Sequence, residues 1–164
     1  MPSLRKRRPR LVLDSNVWIS AFLFGGKPAA VINLAQEGRV RILMSTDLIL
    51  EIGRALRYER LRRILERSKR STETIVAQIL AVTQLVETKS QRSWIIQDPA
   101  DDIVLNCAVE NSADYLISGD QHILQLKRID GMEILTPTEF LQRLQATHNR
   151  AEPRVDHWAG CVGR

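Results

Sequence analysis

Four carboxylates, Asp14, Glu51, Asp102 and Asp120, each stand where a strand pattern ends or a helix begins. An α/β fold that gathered them would make a nest of negative charge. Like charges a few ångströms apart raise each other's pKa and oppose ionisation. A hard divalent cation relieves that repulsion, because Mg²⁺ favours carboxylate and water oxygens. Held there, it can acidify a water and neutralise a developing oxyanion. Each acid also has an ordinary explanation. Asp14 and Asp120 stand where an N-cap belongs, Glu51 is three residues from Arg54 on a helix, and Asp102 favours the positive end of a helix dipole. Within residues 98–102 the roles separate. Asp98 as N-cap, Pro99 at the first position and Asp101 at the third fit a helix start. Asp102 falls one position later and is the surplus carboxylate of the cluster. Asn16, two residues past Asp14, offers an amide that can brace a ligating carboxylate.

The elements that must position these residues alternate between strand and helix. Leu11, Val12 and Leu13 form an apolar run ending at Asp14, the signature of a buried strand. Residues 15–24 read as a helix stopped by Gly25 and Gly26. Pro28 opens a second helix that ends at Gly38, and residues 40–44 form a second strand. Ser45 or Thr46 caps a third helix with Leu48, Ile49, Ile52 and Leu56 on its apolar face. A basic helix follows, and then one starting at residues 71–74 with Ile75, Ile79 and Val82 on one face. Residues 85–88 carry a weak strand pattern. The helix opened by Asp98 runs to about Ser112. Residues 115–118 are a strand, Gly119 and Asp120 turn into a short helix, residues 132–135 are the last strand, and Pro137 opens a helix through Leu144. This alternation predicts a mostly parallel sheet with helices on both faces. In such sheets the site lies beyond the C-terminal strand ends, where the strand order reverses. If the first and fourth strands are neighbours across that point, Asp14 and Asp120 face each other.

Four blocks carry a family resemblance. Residues 11–21 (LVLDSNVWISA), 45–56 (STDLILEIGRAL), 98–108 (DPADDIVLNCA) and 114–120 (DYLISGD) resemble, in order and spacing, the PIN-domain ribonucleases. The likeness is greatest to the bacterial branch that supplies the toxins of toxin–antitoxin pairs (VapC-like), and it covers roughly residues 10–145. The resemblance implies a three-layer α/β/α sandwich and a Mg²⁺- or Mn²⁺-dependent endoribonuclease of a type II toxin–antitoxin pair. It implies Asp14, Glu51, Asp102 and Asp120 as catalytic, metal-binding acids, with Asn16, Ser118 and Asp101 supporting them. It also implies a small cognate antitoxin and a homodimer. Apolar faces near residues 28–36 and 75–82 serve either a dimer interface or the core.

The remaining properties narrow the alternatives. A chain of 164 residues, 44% apolar and 26% charged, is one ordinary globular domain. The expected division is a basic flexible arm at 1–10, a nuclease domain at 11–146 and a tail at 147–164. No run approaches the roughly 20 apolar residues of a membrane helix, and no secretory signal pattern is present, so a cytoplasmic protein without membrane contact is expected. Five of the 24 basic residues lie in the first ten positions, which leaves 19 against 19 acids and places the whole net charge of +5 in the arm. Residues 54–70 carry eight basic side chains against Glu59 and Glu66. Arg54, Arg57, Arg60 and Arg63 are candidate phosphate contacts for RNA. The same run reads equally as a solvated face with Glu59–Arg63 and Glu66–Arg70 pairs. Low aromatic content, 5%, argues against base-stacking platforms. His157 and Cys161 lack further ligands at zinc spacing, and Cys107 reads as a buried small hydrophobe. An aspartyl-phosphate enzyme of the haloacid-dehalogenase kind would need a second Asp where Asn16 stands. A catalytically silent PIN-like module that binds RNA or protein is the alternative outside enzymology.

Overall fold

The computed structural model of the chain describes residues 7–94 and 98–151. Its sheet is built around β1 (Arg10–Leu13), where Leu11, Val12 and Leu13 are wholly shielded from solvent. A strand apolar on both faces belongs inside a parallel sheet covered by helices. β2 (Arg41–Ser45) and β4 (Tyr115–Ile117) flank it in parallel. β3 (Thr83–Val86) pairs outside β2, and β6 (Met132–Leu135) outside β4. β5 (Arg128–Ile129) closes the far edge as an antiparallel hairpin with β6, giving the order β3-β2-β1-β4-β6-β5. The sequence reading contains no β5, because two residues carry no alternation. Its turn needs Gly131, whose φ of +83° lies in the left-handed region.

Eight helices complete a three-layer α/β/α domain among the described residues: α1 (Ser15–Phe24), α2 (Gly26–Gln36), α3 (Thr46–Leu56), α4 (Glu59–Arg67), α5 (Thr72–Val82), α6 (Pro99–Glu110), α7 (Gln121–Leu124) and α8 (Pro137–Ala151). No single one is long and apolar enough to cross a membrane. Gly25 and Gly26, with φ of +70° and +67°, turn the chain through 99° between α1 and α2. This swings the start of α2 back beside the strand ends. Val31, Ile32 and Leu34 of α2 and Ile75 and Ile79 of α5 are buried. The apolar faces at residues 28–36 and 75–82 are therefore spent largely on the core.

Several boundaries differ from expectation, and three matter most. β3 starts two residues before the expected strand at 85–88. Arg10 already belongs to β1, and Arg7 pairs with Asp114 at 3.3 Å, so ordered structure begins inside the expected arm. α8 runs to Ala151 instead of stopping at Leu144, because no Gly or Pro interrupts it there. It takes in His148 and the first residues of the expected tail. His157, Trp158 and Cys161 lie outside the described residues.

Candidate functional site

β1 lies between β2 and β4, and the chain moves one way from β1 to β3 before crossing to β4. The order thus reverses between β1 and β4, where a parallel sheet leaves a crevice. Leu13 is in register with Ile117, and the Asp14 N–H donates to the Ile117 carbonyl at 2.9 Å. Asp14 therefore emerges beside residues 118–120.

Asp14 occupies the N-cap position of α1, yet its carboxylate makes no capping bond. It is held by hydroxyls instead. Ser118 Oγ donates to Asp14 Oδ2 at 2.9 Å, and Ser15 Oγ donates to Oδ1 at 3.4 Å. The Asp120 N–H donates to Ser118 Oγ at 3.0 Å, which turns the Ser118 proton toward Asp14. Burial pushes the Asp14 carboxyl up from its ordinary pKa, the Ser118 bond pulls it down, and Asp120 adds like-charge repulsion. Asn16, expected to brace Asp14, is exposed and points along a groove. The bracing belongs to Ser118 and Ser15. Ser118→Ala is expected to lower activity about 10–100-fold with the fold intact, the usual effect of losing a group that orients a ligand. Unchanged activity in that variant would remove Ser118 from the site.

Glu51 is brought in by α3. Ser45 Oγ caps this helix by accepting from the Leu48 N–H at 3.2 Å, and Leu48, Ile52 and Leu56 form the buried stripe. Glu51 flanks that stripe and is half-buried. Its pKa is raised to about 7 by burial first, then by Asp14, Asp98 and Asp101, against a lowering pull from Arg54.

α6 sets its two neighbouring acids in different surroundings. Asp98 caps the helix, accepting from the Ala100 N–H at 3.0 Å. Asp101 falls on the buried face with Val104, Leu105 and Ala108, at i+3, i+4 and i+7. Its Oδ2 is buried without a hydrogen-bond partner. Its pKa is raised to about 6 by burial, then by Asp98, Asp120 and Asp14, while His122 lowers it. Asp102, the acid expected in the site, lies on a different side of α6 from Asp101. Its Oδ1 accepts from the Trp94 N–H at 2.7 Å. Asn106 and Glu110 continue that stripe. Asn106 bonds the Trp94 indole N–H and the Arg92 carbonyl, both at 2.9 Å. Glu110 accepts from the Lys89 and Ser90 N–H groups, each at 2.8 Å to Oε2. Asp101 is thus the α6 carboxylate turned toward Asp14, Glu51 and Asp120. The apolar stripe carried this signal, since Asp101 is in phase with Val104, Leu105 and Ala108 and Asp102 is not.

Asp120 does cap α7, accepting from the His122 N–H at 2.7 Å through Oδ1. Its influence on both Asp14 and Asp101 nevertheless puts it in the same crevice. Among the described residues no three acids close on one point as a tight metal-holding group. They surround an open crevice instead. A crevice lined by carboxylates suits a hard divalent cation, which takes oxygen ligands and water. The all-oxygen donor set and the unpartnered Asp101 Oδ2 point the same way.

Two groups of basic residues stand out. Arg54 lies on α3 near Glu51. On and beside α4, Arg63 pairs with Glu59 at 2.6 Å, Arg62 with Glu66 at 3.7 Å and Arg57 with Glu73 at 3.7 Å. The expected Glu66–Arg70 pair is not made, because the Arg70 guanidinium donates to the Phe22 carbonyl at the end of α1. Arg60 has no ion pair among the described residues. Arg7 and Arg8 line a groove of about 420 Å³ with Arg39, Arg143 and His148. These residues stand at the N-terminal ends of the strands, at the opposite edge from the acids. Cys107 is fully buried, and that burial raises its thiol pKa.

Comparison with known proteins agrees with this architecture. The family model described as PIN domain matches residues 10–122. A chain of the structure described as VapBC2 from Rickettsia felis bound to a DNA fragment from their promoter superposes with a TM-score of 0.54. The match spans 76% of this chain and 96% of that one at 13% identity, a likeness of fold alone. No curated protein sequence matches.

Proposed function

The chain belongs to the PIN-domain family, and from that premise we propose that it is a divalent-metal-dependent endoribonuclease, the toxin of a type II toxin–antitoxin pair restrained by a small antitoxin protein. One observation carries the nuclease reading. Asp14, Glu51, Asp101 and Asp120 act on one another electrostatically in the crevice between β1 and β4, and Asp101 Oδ2 is buried there unpaired. Carboxylates that raise each other's pKa, against only the weaker pull of Arg54 and His122, are poised for a metal. The resemblance of the crystallised VapBC2 chain in fold supports the toxin reading, and the basic face of α3 and α4 supports a polyanionic substrate.

In this reading Asp14, Asp101 and Asp120 hold Mg²⁺ or Mn²⁺. A cation held by these residues would supply an acidified water and neutralise charge on the phosphate. Ser118 keeps Asp14 aimed into the crevice. Glu51, half-buried on α3 beside Asp14, is suited to accept a proton from the attacking water. Arg54, Arg57, Arg60 and Arg63 draw the RNA backbone to the Glu51 side.

Purified full-length protein incubated with single-stranded RNA and Mg²⁺ or Mn²⁺ should cut it, chelator should stop the reaction, and Asp14→Asn should reduce the rate to background. Equal cleavage by Asp14→Asn would place the activity elsewhere. A metal titration with no binding would favour a silent RNA- or protein-binding module instead.

A further inference from the structure

The crevice continues past Asp120 into an open groove of about 680 Å³ between α1, the start of α2, α7 and the start of α8. Asn16, Ser20, Lys27, Gln121, His122 and Thr138 line it. None of these six side chains hydrogen-bonds another described group, and Lys27 has no ion pair among the described residues. Two amides, two hydroxyls, an imidazole and an ammonium therefore remain available to a ligand. Asp120 belongs both to this groove and to the acidic crevice.

The placement gives the groove its direction. In the sheet order β2-β1-β4, Glu51 follows β2, Asp14 follows β1 and Asp120 follows β4. The arginines of α3 and α4 lie beyond Glu51, and Lys27 lies on the other side, beyond Asp120. A polyanion crossing a cluster of carboxylates is repelled by them, so cations on both flanks are what hold it there. The lining also excludes an ordinary protein-docking site. Protein interfaces anchor on buried aromatic and arginine side chains, and none lines this groove. Ribose hydroxyls and base edges are instead matched by amide and hydroxyl groups.

The geometry points to this groove as the subsite for the nucleotide next to the scissile phosphate. Lys27 takes that nucleotide's far phosphate, and Asn16 and Gln121 take its ribose or base edge. The inference rests on the ribonuclease reading and adds the path of the strand and a determinant of its specificity.

The test is binding and cleavage of a labelled 12-nucleotide single-stranded RNA by the full chain, Lys27→Ala and Gln121→Ala across a series of KCl concentrations. Lys27 is exposed, so its replacement leaves the fold intact. Lys27→Ala should weaken binding several-fold at low salt, reduce the slope of log affinity against log salt by about 0.7, and raise KM while kcat holds. Gln121→Ala should weaken binding without changing that slope, and alter base preference at one position beside the cut. If the full chain cuts RNA while both variants keep its affinity, slope and KM, the strand runs elsewhere and the subsite is overturned. If the full chain binds RNA without cutting, the nuclease reading fails. The subsite is then judged on the slopes alone.

Discussion

Replacing Asp101 by asparagine is expected to lower metal-dependent RNA cleavage by about a hundredfold or more, while Asp102→Asn lowers it less than about tenfold. The two residues are chemically identical neighbours about 100° apart around α6. Asp101 shares the buried face with Val104, Leu105 and Ala108, and its carboxyl responds to Asp14 and Asp120. Asp102 shares a stripe with Asn106 and Glu110, which together bind segment 89–94 along the helix. Losing a group that merely orients a metal ligand typically lowers activity 10–100-fold, so losing a ligand should fall at or above that range. Asparagine preserves the shape at both positions. At 102 it also keeps an oxygen for the Trp94 N–H, so segment 89–94 stays in place. Cleavage rates of the two variants, with unfolding temperatures to verify the fold, decide the matter. A larger loss for Asp102→Asn would return the ligand role to that residue.

The metal-free protein is expected to unfold at a lower temperature at pH 8 than at pH 5, by on the order of 5–10 °C. Glu51 rises from 4.5 to about 7 in the folded state, and Asp101 from 3.8 to about 6. Between those limits the native protein keeps protons that the unfolded chain has released. Stability from these groups is complete below their unfolded pKa values and is lost as pH rises through the folded ones. Asp14 is displaced in the same direction by burial. One pKa unit corresponds to about 1.4 kcal/mol. After allowance for the partial exposure of Glu51, that group alone contributes about 2 kcal/mol. The exposed Glu110 carboxylate, lowered by its bonds to the Ser90 and Lys89 N–H groups, acts in the opposite sense. It stays ionised throughout this window, so pH 5 is low enough for the comparison. Mg²⁺ or Mn²⁺ at a hundred times its Kd should restore about 2.7 kcal/mol at pH 8. Glu51→Gln should raise the metal-free unfolding temperature at pH 8 and leave it nearly unchanged at pH 5. A flat profile from pH 5 to 8, indifferent to metal, would mean that the acids do not crowd one another.

The legible parts of this chain are those governed by residues near in sequence. Leu11, Val12 and Leu13 mark a central strand because an unbroken apolar run suits only a position covered on both faces. Gly25 and Gly26 end α1 because positive φ is easiest for glycine. Ser45 caps α3 ahead of a stripe at Leu48, Ile52 and Leu56, and Asp98 with Pro99 opens α6. Strand–helix alternation placed Asp14 and Asp120 at strand ends, and the pairing of β1 with β4 makes those ends neighbours. β5 was not legible, because its two residues gain their pairing from β6 and not from any pattern of their own.

The sequence by itself determined the alternating elements, the mostly parallel sheet and a short set of candidate acids at its C-terminal edge, since caps, turns and periodicity act over a few residues. Only the tertiary structure decided which acids meet. Ser118 reaches Asp14 across 104 residues of chain, and the rotation of α6 turns Asp101 inward and leaves Asp102 to hold Trp94. It also decided that Arg70 leaves Glu66 for the Phe22 carbonyl, and that Lys27 and His122 border one groove with Asp120. Such choices depend on how each helix is rotated against the sheet. That rotation is set by the packing of whole faces at once, which no local spacing records.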